Sequence, residues 1–342
     1  MKSVLIVKCG ALGDVVRTTS LLEPLKKRYG GPIDWVTSPA ALPLLEGLPQ
    51  LRRAVAAGSP QAARLARDYD LALSLEEDAA AAELARRCCR GELVGVLADG
   101  GRLDYTPSAA AYYDMSLLGA EKTSLEAANG RKAANRRSYA RLWLDILGLS
   151  RRGAAAPPPR LPVSEEDRRA ARAVARRHGL GRLRPIGVNP GAGARWPSKQ
   201  LSEEKSIRVL AALAGLGRPL LLLGGEDEAA RNRRIAAALP AGAVARPEPL
   251  PLRVFAALIE LCAALVVTDS LALHLATALR KPVVALVGPT SAAELDVFGR
   301  GEKLVPRQGC GCFYRPRCRR ARHCLDGVPE ARIVAAVRRS LR

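Results

Sequence analysis

Residues 4–19 read VLIVKCGALGDVVRTT, and this stretch decides how the first half of the chain folds. The apolar run 4–7 has the character of a buried strand, and the residues after Gly13 follow a helical pattern. Gly10 and Gly13 lie between the two, where glycine allows the backbone to approach a ligand closely. The N–H groups of a helix start favour an anion. The stretch therefore predicts a strand, a ligand-binding glycine turn and a helix.

The alternation of strand and helix continues along the chain and is interrupted once. The segment 151–162, RRGAAAPPPRLP, cannot sustain a helix or a central strand, because proline lacks the N–H group and fixes φ. Strand patterns recur before and after it at residues 33–37, 71–75, 93–97, 186–189, 219–223, 265–268 and 283–287. Helical patterns lie between the later strands at residues 164–178, 232–239, 252–262 and 270–279, with one more after Lys199.

These patterns predict an α/β protein with two Rossmann-like, doubly wound parallel-sheet domains. A chain of 342 residues also exceeds the size that a single core usually reaches. We expect an N-terminal domain over residues 1–156, a C-terminal domain over residues 163–342 and a linker over residues 151–162. The ligand site is expected in a central cleft that the two domains face, at the carboxyl ends of their strands.

The composition is strongly basic, with 54 Lys and Arg against 33 Asp and Glu, which gives a formal net charge of +21. Such a protein is attracted to polyanions, whether nucleic acid, anionic lipid headgroups or phosphorylated glycolipids. Aromatic residues make up only 4% of the chain, which leaves few stacking platforms for specific nucleic-acid binding. No apolar run approaches the ~20 residues needed to cross a bilayer, and no cleavable signal is evident, so a cytoplasmic protein is expected.

Asp14 stands at the start of the first predicted helix, and two interpretations are open. A carboxylate there commonly satisfies backbone donors and the helix dipole, which is a purely structural role. Alternatively, Asp14 is a general base at the floor of the cleft.

Three further motifs follow predicted strands in the second half. NPGAGARWPSK, residues 189–199, places Arg195 and Lys199 beside flexible glycines, as a phosphate clamp or as a plain glycine-rich turn. In LLLGGEDE, residues 221–228, Glu226 could accept hydrogen bonds from ribose hydroxyls, or the acidic loop could cap the next helix. In VVTDSLALH, residues 266–274, His274 lies one helical turn after Ser270, although a lone helical histidine is more often structural.

Together the motifs resemble glycosyltransferase family 9, the ADP-heptose:lipopolysaccharide heptosyltransferases of Gram-negative bacteria. Gly10, Gly13, Asp14 and Thr18 match the family's G-x-x-G-D-x-x-x-T signature, and residues 281–290, KPVVALVGPT, match a later one. The resemblance spans nearly the whole chain. It implies a GT-B architecture in which the first domain binds the acceptor and the second binds an ADP-sugar.

The resemblance also implies roles for individual residues. Asp14 matches the general base, Lys199 and Glu226 match residues that bind the phosphate and ribose of the donor, and Arg195 lies beside them. The loop around the donor diphosphate and sugar corresponds to Asp269, Ser270 and His274, and the acceptor-side loop to Gly13, Arg17 and Thr18. This chain departs from the family at residues 199–202, where K-x-W-P becomes KQLS. It also departs at residues 267–269, where the Thr-Gly-Asp often seen in the family becomes VTD.

The implied activity is inverting, metal-independent transfer of heptose from ADP-heptose to a hydroxyl group of the lipopolysaccharide inner core. The implied partners are a phosphorylated or Kdo-bearing glycolipid acceptor and an anionic membrane surface, at the inner face of the inner membrane. One D-x-D motif, residues 68–70, precedes a predicted strand instead of following one and is interpreted as a turn. The alternatives are a family member with another acceptor or nucleotide-sugar, and a basic nucleic-acid-binding protein.

The eight cysteines fall into two groups. Cys9, Cys88, Cys89 and Cys262 are scattered and are expected to be small buried apolar residues. The other four, with His323 beside them, suggest a structural zinc site or an iron–sulfur cluster before disulfides: Cys310, Cys312, Cys318 and Cys324. Neighbouring arginines would lower thiol pKa values or meet an anionic partner: Arg315, Arg317, Arg319, Arg320 and Arg322. No cofactor is expected for catalysis itself.

Overall fold

The computed structural model describes residues 1–181, 183–310, 312–315, 317, 318, 320 and 323–342. The chain divides into two compact units, Met1–Pro162 and Val163–Arg342. None of the helices in the described part combines the length and apolar character needed to cross a bilayer.

The first unit is built on a six-stranded sheet. Its strands are β1 (Lys2–Val7), β2 (Gly30–Thr37), β3 (Arg53–Ala56), β4 (Tyr69–Ser74), β5 (Cys89–Asp99) and β6 (Arg102–Tyr105). They lie in the order β3-β2-β1-β4-β5-β6, and every pair is parallel except β5 with β6. This order reverses direction between β1 and β4, which makes their carboxyl ends the expected ligand position.

The first sheet is parallel as predicted, with one antiparallel strand, β6, added at its edge. Gly100 and Gly101 form a two-residue loop in which both φ angles are positive, at 54° and 82°. Such a loop joins antiparallel strands as a tight hairpin, because its twist matches that of the strands. Asp99 and Arg102 accordingly face one another across the β5–β6 pair.

Helices and side chains cover both faces of this sheet. The helices are α1 (Leu12–Thr18), α2 (Leu22–Tyr29), α3 (Pro60–Ala63), α4 (Ala79–Cys88), α5 (Ala110–Tyr113), α6 (Leu117–Lys122), α7 (Leu125–Ala134) and α8 (Tyr139–Ile146). Val4 and Ile6 pack into a core with Trp143, whereas Leu5 and Val7 pack into a separate core. The continuous apolar run of β1 is therefore explained by burial on both faces.

The second unit has a five-stranded, entirely parallel sheet. Its strands are β7 (Ile186–Asn189), β8 (Leu220–Leu222), β9 (Ala264–Thr268), β10 (Val283–Leu286) and β11 (Gly301–Leu304). Its helices are α9 (Glu165–Arg177), α10 (Glu203–Ala214), α11 (Ala229–Ala237), α12 (Leu252–Leu261), α13 (Leu271–Ala278) and α14 (Glu330–Ser340). The strand order is β11-β10-β9-β7-β8, so the direction of winding reverses between β7 and β9.

Residues 151–162, the expected linker, contain neither helix nor strand. Arg160 is tied to the first unit, since its N–H donates to Thr19 Oγ1 at 2.8 Å and its carbonyl accepts from the same hydroxyl at 3.0 Å. The segment therefore lies on the first unit, and the division between the units falls after Pro162.

Candidate functional site

In the first unit, the glycine turn after β1 is held by a carboxylate from the neighbouring strand end. Glu76, two residues after β4, accepts from the N–H groups of Cys9 at 2.8 Å and Gly10 at 2.9 Å and from Lys8 Nζ at 3.1 Å. The N–H groups of Cys9 and Gly10, which precede the helix start, are therefore already occupied by a carboxylate. A cavity of about 560 Å³ adjoins the turn, with Ala11 and Glu76 in its lining.

Asp14 lies in α1 with about one third of its side chain exposed. Its Oδ1 is 3.0 Å from Nε of Arg17, one turn along the helix. Arg17 is itself fixed, because its guanidinium lies 3.9 Å from the centroid of the Tyr139 ring and donates to the hydroxyl of Tyr112 at 3.3 Å. The carboxylate of Asp14 is thus oriented by an arginine that aromatic rings hold in place.

The other two residues of the expected acceptor-side loop, Gly13 and Thr18, are buried in α1. The Thr18 hydroxyl lies 2.6 Å from the carbonyl oxygen of Asp14 and 2.7 Å from the hydroxyl of Tyr139. Burial raises the pKa of Tyr139 to about 12, so this phenol stays neutral. Gly13 and Thr18 support the helix that carries Asp14.

In the second unit, three expected donor-site residues meet where the winding of the sheet reverses. Lys199, 70 residues before Asp269 in sequence, places its Nζ 2.5 Å from Asp269 Oδ2. His274 on α13 places Nε2 3.9 Å from the other oxygen, Oδ1. The side chains of Asp269 and His274 are only 9% and 11% exposed, so the carboxylate is largely removed from water and lies between two cationic or polar groups.

Ser270 joins the same strand ends by hydrogen bonds. Its Oγ accepts from Nδ2 of Asn189, the last residue of β7, at 3.1 Å and donates to the carbonyl of Thr268 at 3.2 Å. The carbonyl of Gly191 accepts from Thr268 Oγ1 at 2.6 Å and from Asn189 Nδ2 at 3.2 Å. These bonds fix the start of α13 against the loop that follows β7.

The glycine-rich loop after β7 is held by a carboxylate, as is the turn in the first unit. Glu228 accepts from the N–H of Gly193 at 2.7 Å and from that of Gly225 at 2.9 Å. Gly191 must lack a side chain, because a Cβ there would lie 2.4 Å from Cγ of Glu228. The N–H of Ala194 donates to Asp227 at 3.0 Å. The N–H groups of Gly193 and Ala194 are therefore occupied by carboxylates, and the phosphate clamp predicted for this loop cannot use them in this arrangement.

The remaining two expected donor-site residues, Arg195 and Glu226, are exposed, and neither forms an ion pair within the described part of the chain. The guanidinium of Arg195 lies 5.6 Å from the ring centroid of Trp196. The structure thus brings Lys199, Asp269 and His274 together and leaves Arg195 and Glu226 at the surface.

Sequence reasoning missed Glu76, Glu228 and Asn189. Glu76 follows β4 and Asn189 ends β7, both strands next to the point where the winding reverses, which is the rule that identified Asp269, whereas Glu228 follows the edge strand β8. A carboxylate after β4 could therefore have been singled out. The choice between Glu226 and Glu228 depends on which side chain the loop buries, and sequence spacing alone carries no such information.

The cysteines near the C-terminus cluster as expected. Ligand atoms of Cys318, His323 and Cys324 all lie within 4.8 Å of one another. A thiol hydrogen bond joins Cys310 to Cys324 and lowers the pKa of Cys310 to about 6. The N–H of Cys312 donates to Sγ of Cys310 at 3.4 Å. Two of the neighbouring arginines, Arg319 and Arg322, lie outside the described residues.

Of the four scattered cysteines, Cys88, Cys89 and Cys262 are buried as expected, and burial raises the pKa of Cys262 to about 12. Cys9 is only half-buried and lines the cavity beside the glycine turn. The interpretation of the D-x-D motif as a turn is wrong for Asp70, which lies within β4, accepts from the N–H of Ser3 at 2.8 Å and pairs with Arg90 at 2.8 Å.

The family model described as glycosyltransferase family 9 (heptosyltransferase) matches residues 137–307. No curated protein sequence matches the chain. Among solved structures, a glycosyl transferase family 9 protein from Veillonella parvula is 17% identical with a TM-score of 0.73, over 99% of this chain and 97% of that one.

Two E. coli structures are also similar. ADP-heptose lipopolysaccharide heptosyltransferase II is 21% identical with a TM-score of 0.67, over 100% of this chain and 98% of that one. The iron-containing dodecameric glycosyltransferase TibC is 15% identical with a TM-score of 0.59, over 99% of this chain and 76% of that one. At such identities the likeness concerns the fold, and it confirms the predicted class of two parallel-sheet units of the GT-B kind.

Proposed function

The chain belongs to glycosyltransferase family 9, and from this premise we propose that it transfers heptose, with inversion, from ADP-heptose to a hydroxyl group of the lipopolysaccharide inner core. The observation that carries the donor half of this proposal is the partly buried set of Lys199, Asp269 and His274 where the winding of the second sheet reverses. The heptosyltransferase II of E. coli, which is named for ADP-heptose, has the same fold.

Asp14 is the proposed general base. In an inverting transfer, the acceptor hydroxyl loses its proton to the base while its oxygen bonds to the anomeric carbon and the bond from that carbon to the diphosphate breaks. Arg17 orients the Asp14 carboxylate at 3.0 Å, and the exposed third of the side chain leaves it accessible to an acceptor. The cavity beside the glycine turn offers space in the same unit.

Lys199 is the proposed partner of the departing diphosphate, with Ser270 at the helix start beside it. A cation and a helix N-terminus can stabilise the negative charge that develops on ADP as it leaves, so the transfer proceeds without a divalent cation. Asp269 holds Lys199 in position in the absence of the donor, and the hydroxyl groups of the sugar are candidates to bind Asp269 and His274. Glu226 and Arg195 are proposed to close on the ribose and phosphate from the surface.

The donor assignment predicts selective stabilisation by an adenine nucleotide. ADP should raise the melting temperature more than UDP, GDP or CMP, because a ligand that binds only the folded state stabilises it by linkage. The shift should be the same in buffer freed of divalent cations as in buffer with added Mg²⁺. A thermal-shift panel measures both. Preferential stabilisation by UDP, or a strict need for Mg²⁺, would contradict the ADP-heptose assignment.

The acceptor is proposed to be a phosphorylated or Kdo-bearing glycolipid reached at the inner face of the inner membrane. The support is the net charge of +21, which attracts the protein to an anionic surface. We therefore expect the protein to sediment with vesicles of anionic phospholipid and to be released as salt rises, since such attraction is screened over about 10 Å at 0.1 M salt. Equal sedimentation with zwitterionic vesicles would argue against this mode of attachment.

A structural metal site is proposed at the C-terminal cluster. Cys318, His323 and Cys324 fit a thiolate-rich site, with Cys310 or Cys312 as a fourth ligand, and Nδ1 of His323 is a buried nitrogen that finds no hydrogen-bond partner among the described residues. Such ligands suit zinc or an iron centre, which would hold the segment together by coordination. TibC, which shares the fold, is iron-containing.

Metal analysis tests this site. The purified protein should contain about one equivalent of zinc or of an iron centre, and Cys318→Ser should lose most of it. Cys9→Ser is the matched control, because Cys9 is a half-buried thiol in the other unit, and it should keep the metal. Absorption at visible wavelengths separates iron from zinc. Wild-type protein without bound metal would rule the site out.

A further inference from the structure

The segment that contains the C-terminal cysteines, from Cys310 to Asp326 and here called the cysteine segment, is hydrogen-bonded to the short turn that carries Lys199. Ser198, the residue before Lys199, donates from Oγ to the carbonyl of Arg315 at 2.8 Å. The carbonyl of the same Ser198 lies 2.8 Å from Nε2 of His323. Further along, the N–H of Ser202 donates to Oδ1 of Asp326 at 3.0 Å. Three bonds from the cysteine segment therefore flank Lys199 on both sides.

We propose that the Cys/His cluster positions Lys199, so that affinity for the donor nucleotide depends on an intact cluster. The inference rests on the proposed function, in which Lys199 binds the donor diphosphate. His323 and Asp326 are positioning residues here, since they act on the donor through the backbone on either side of Lys199.

The surroundings of His323 explain how the cluster and the turn that carries Lys199 can be coupled. A histidine that binds a metal through one ring nitrogen commonly donates the N–H of the other to a carbonyl. Nε2 of His323 is next to the carbonyl of Ser198, whereas Nδ1 is buried, lies 3.9 Å from Oδ1 of Asp326 and has no hydrogen-bond partner within the described part of the chain. If Nδ1 held a metal ion, the proton of the imidazole would lie on Nε2, from which His323 would donate to the carbonyl of Ser198.

The turn itself has few internal bonds, and the residues after Lys199 are also tied to the loop after β7, since Gln200 Nε2 donates to the carbonyl of Gly193 at 2.7 Å and the N–H of Leu201 donates to that of Pro190 at 3.0 Å. Lys199 ends a three-residue 3-10 helix, Pro197–Lys199, whose own bonds are Lys199 N–H to the carbonyl of Trp196 at 2.9 Å and Gln200 N–H to that of Pro197 at 3.1 Å. Nζ of Lys199 must nevertheless reach Asp269 across the sheet end at 2.5 Å. Hydrogen bonds from outside the turn are therefore the means by which this backbone is kept in one position.

The first test compares ADP dissociation constants by calorimetry. Ser198→Ala removes the bond to Arg315 and no metal-ligand candidate, so it should keep its metal and bind ADP about five-fold more weakly, the size of one lost hydrogen bond. Cys318→Ser should lose the metal and bind ADP about ten-fold more weakly. Arg339→Ala is the control, because it breaks an exposed pair with Glu302 in the same C-terminal region, and its ADP affinity should equal that of wild type.

A double-mutant cycle separates positioning from general destabilisation. If the cluster acts through Lys199, then Cys318→Ser should weaken ADP binding in the wild-type background and leave it unchanged in a Lys199→Ala background. Equal loss in both backgrounds, or wild-type affinity in both Ser198→Ala and metal-free Cys318→Ser, would overturn the inference. Wild-type affinity in Lys199→Ala alone would instead contradict the proposed donor site. If Cys318→Ser does not fold, Ser198→Ala in the two backgrounds makes the same test.

Discussion

Asp14→Asn should lower turnover by roughly 10²–10⁴-fold while leaving ADP affinity close to that of wild type. The amide keeps the shape and the position next to Arg17 but cannot accept the proton of the acceptor hydroxyl. The donor residues lie in the other unit, so the ADP dissociation constant should not respond. Release of ADP with a glycolipid acceptor measures turnover, and calorimetry measures affinity.

The control for Asp14→Asn is Glu126→Gln, which neutralises an exposed carboxylate in the first turn of α7 in the same unit. Its turnover should equal that of wild type. Loss of the partly exposed pair with Arg17 should cost Asp14→Asn no more than about 1 kcal/mol, so the variant should fold. Wild-type turnover in folded Asp14→Asn would leave Asp14 as a structural partner of Arg17 and would remove it from the mechanism.

Much of the fold was predictable because buried parallel strands are continuous runs of apolar residues, which are easily found in the sequence. The apolar runs of β1, β7, β9 and β10 are buried on both faces, and each was found. The missed strands β3, β6 and β11 are four residues long, contain charged residues and lie at sheet edges. Such strands are defined by the neighbour they pair with, so short-range patterns indicate them poorly.

The sequence could predict those residues of the candidate site that directly follow the strands of the sheet. Lys199 and Asp269 are 70 residues apart, yet both follow strands beside the point where the winding reverses, and they meet there. Sequence could not show that Glu76 and Glu228 already occupy the backbone N–H groups of the two glycine loops. In the proposed function, this occupancy leaves the side chain of Lys199, and not these loop amides, to bind the negative charge of the donor.

Lys199→Ala should therefore weaken ADP binding by about 10- to 100-fold, the range expected for a charge-assisted contact. Two effects add. The variant loses the cation that would bind the diphosphate, and it leaves the buried carboxylate of Asp269 without its partner at 2.5 Å, where it repels the incoming anion. Calorimetry with ADP measures the loss. Arg176→Ala, which removes an exposed cation from α9 of the same unit, should bind ADP like wild type.

The double variant Lys199→Ala/Asp269→Asn separates these two effects. Neutralising Asp269 removes the repulsion but restores no cation, so ADP affinity should recover in part and remain below that of wild type. Full recovery would mean that Lys199 serves only to neutralise Asp269. No recovery would assign the whole loss to the missing contact with the diphosphate. Wild-type affinity in Lys199→Ala itself would contradict the proposed donor site, because Lys199 is the expected donor-site cation that forms an ion pair with Asp269.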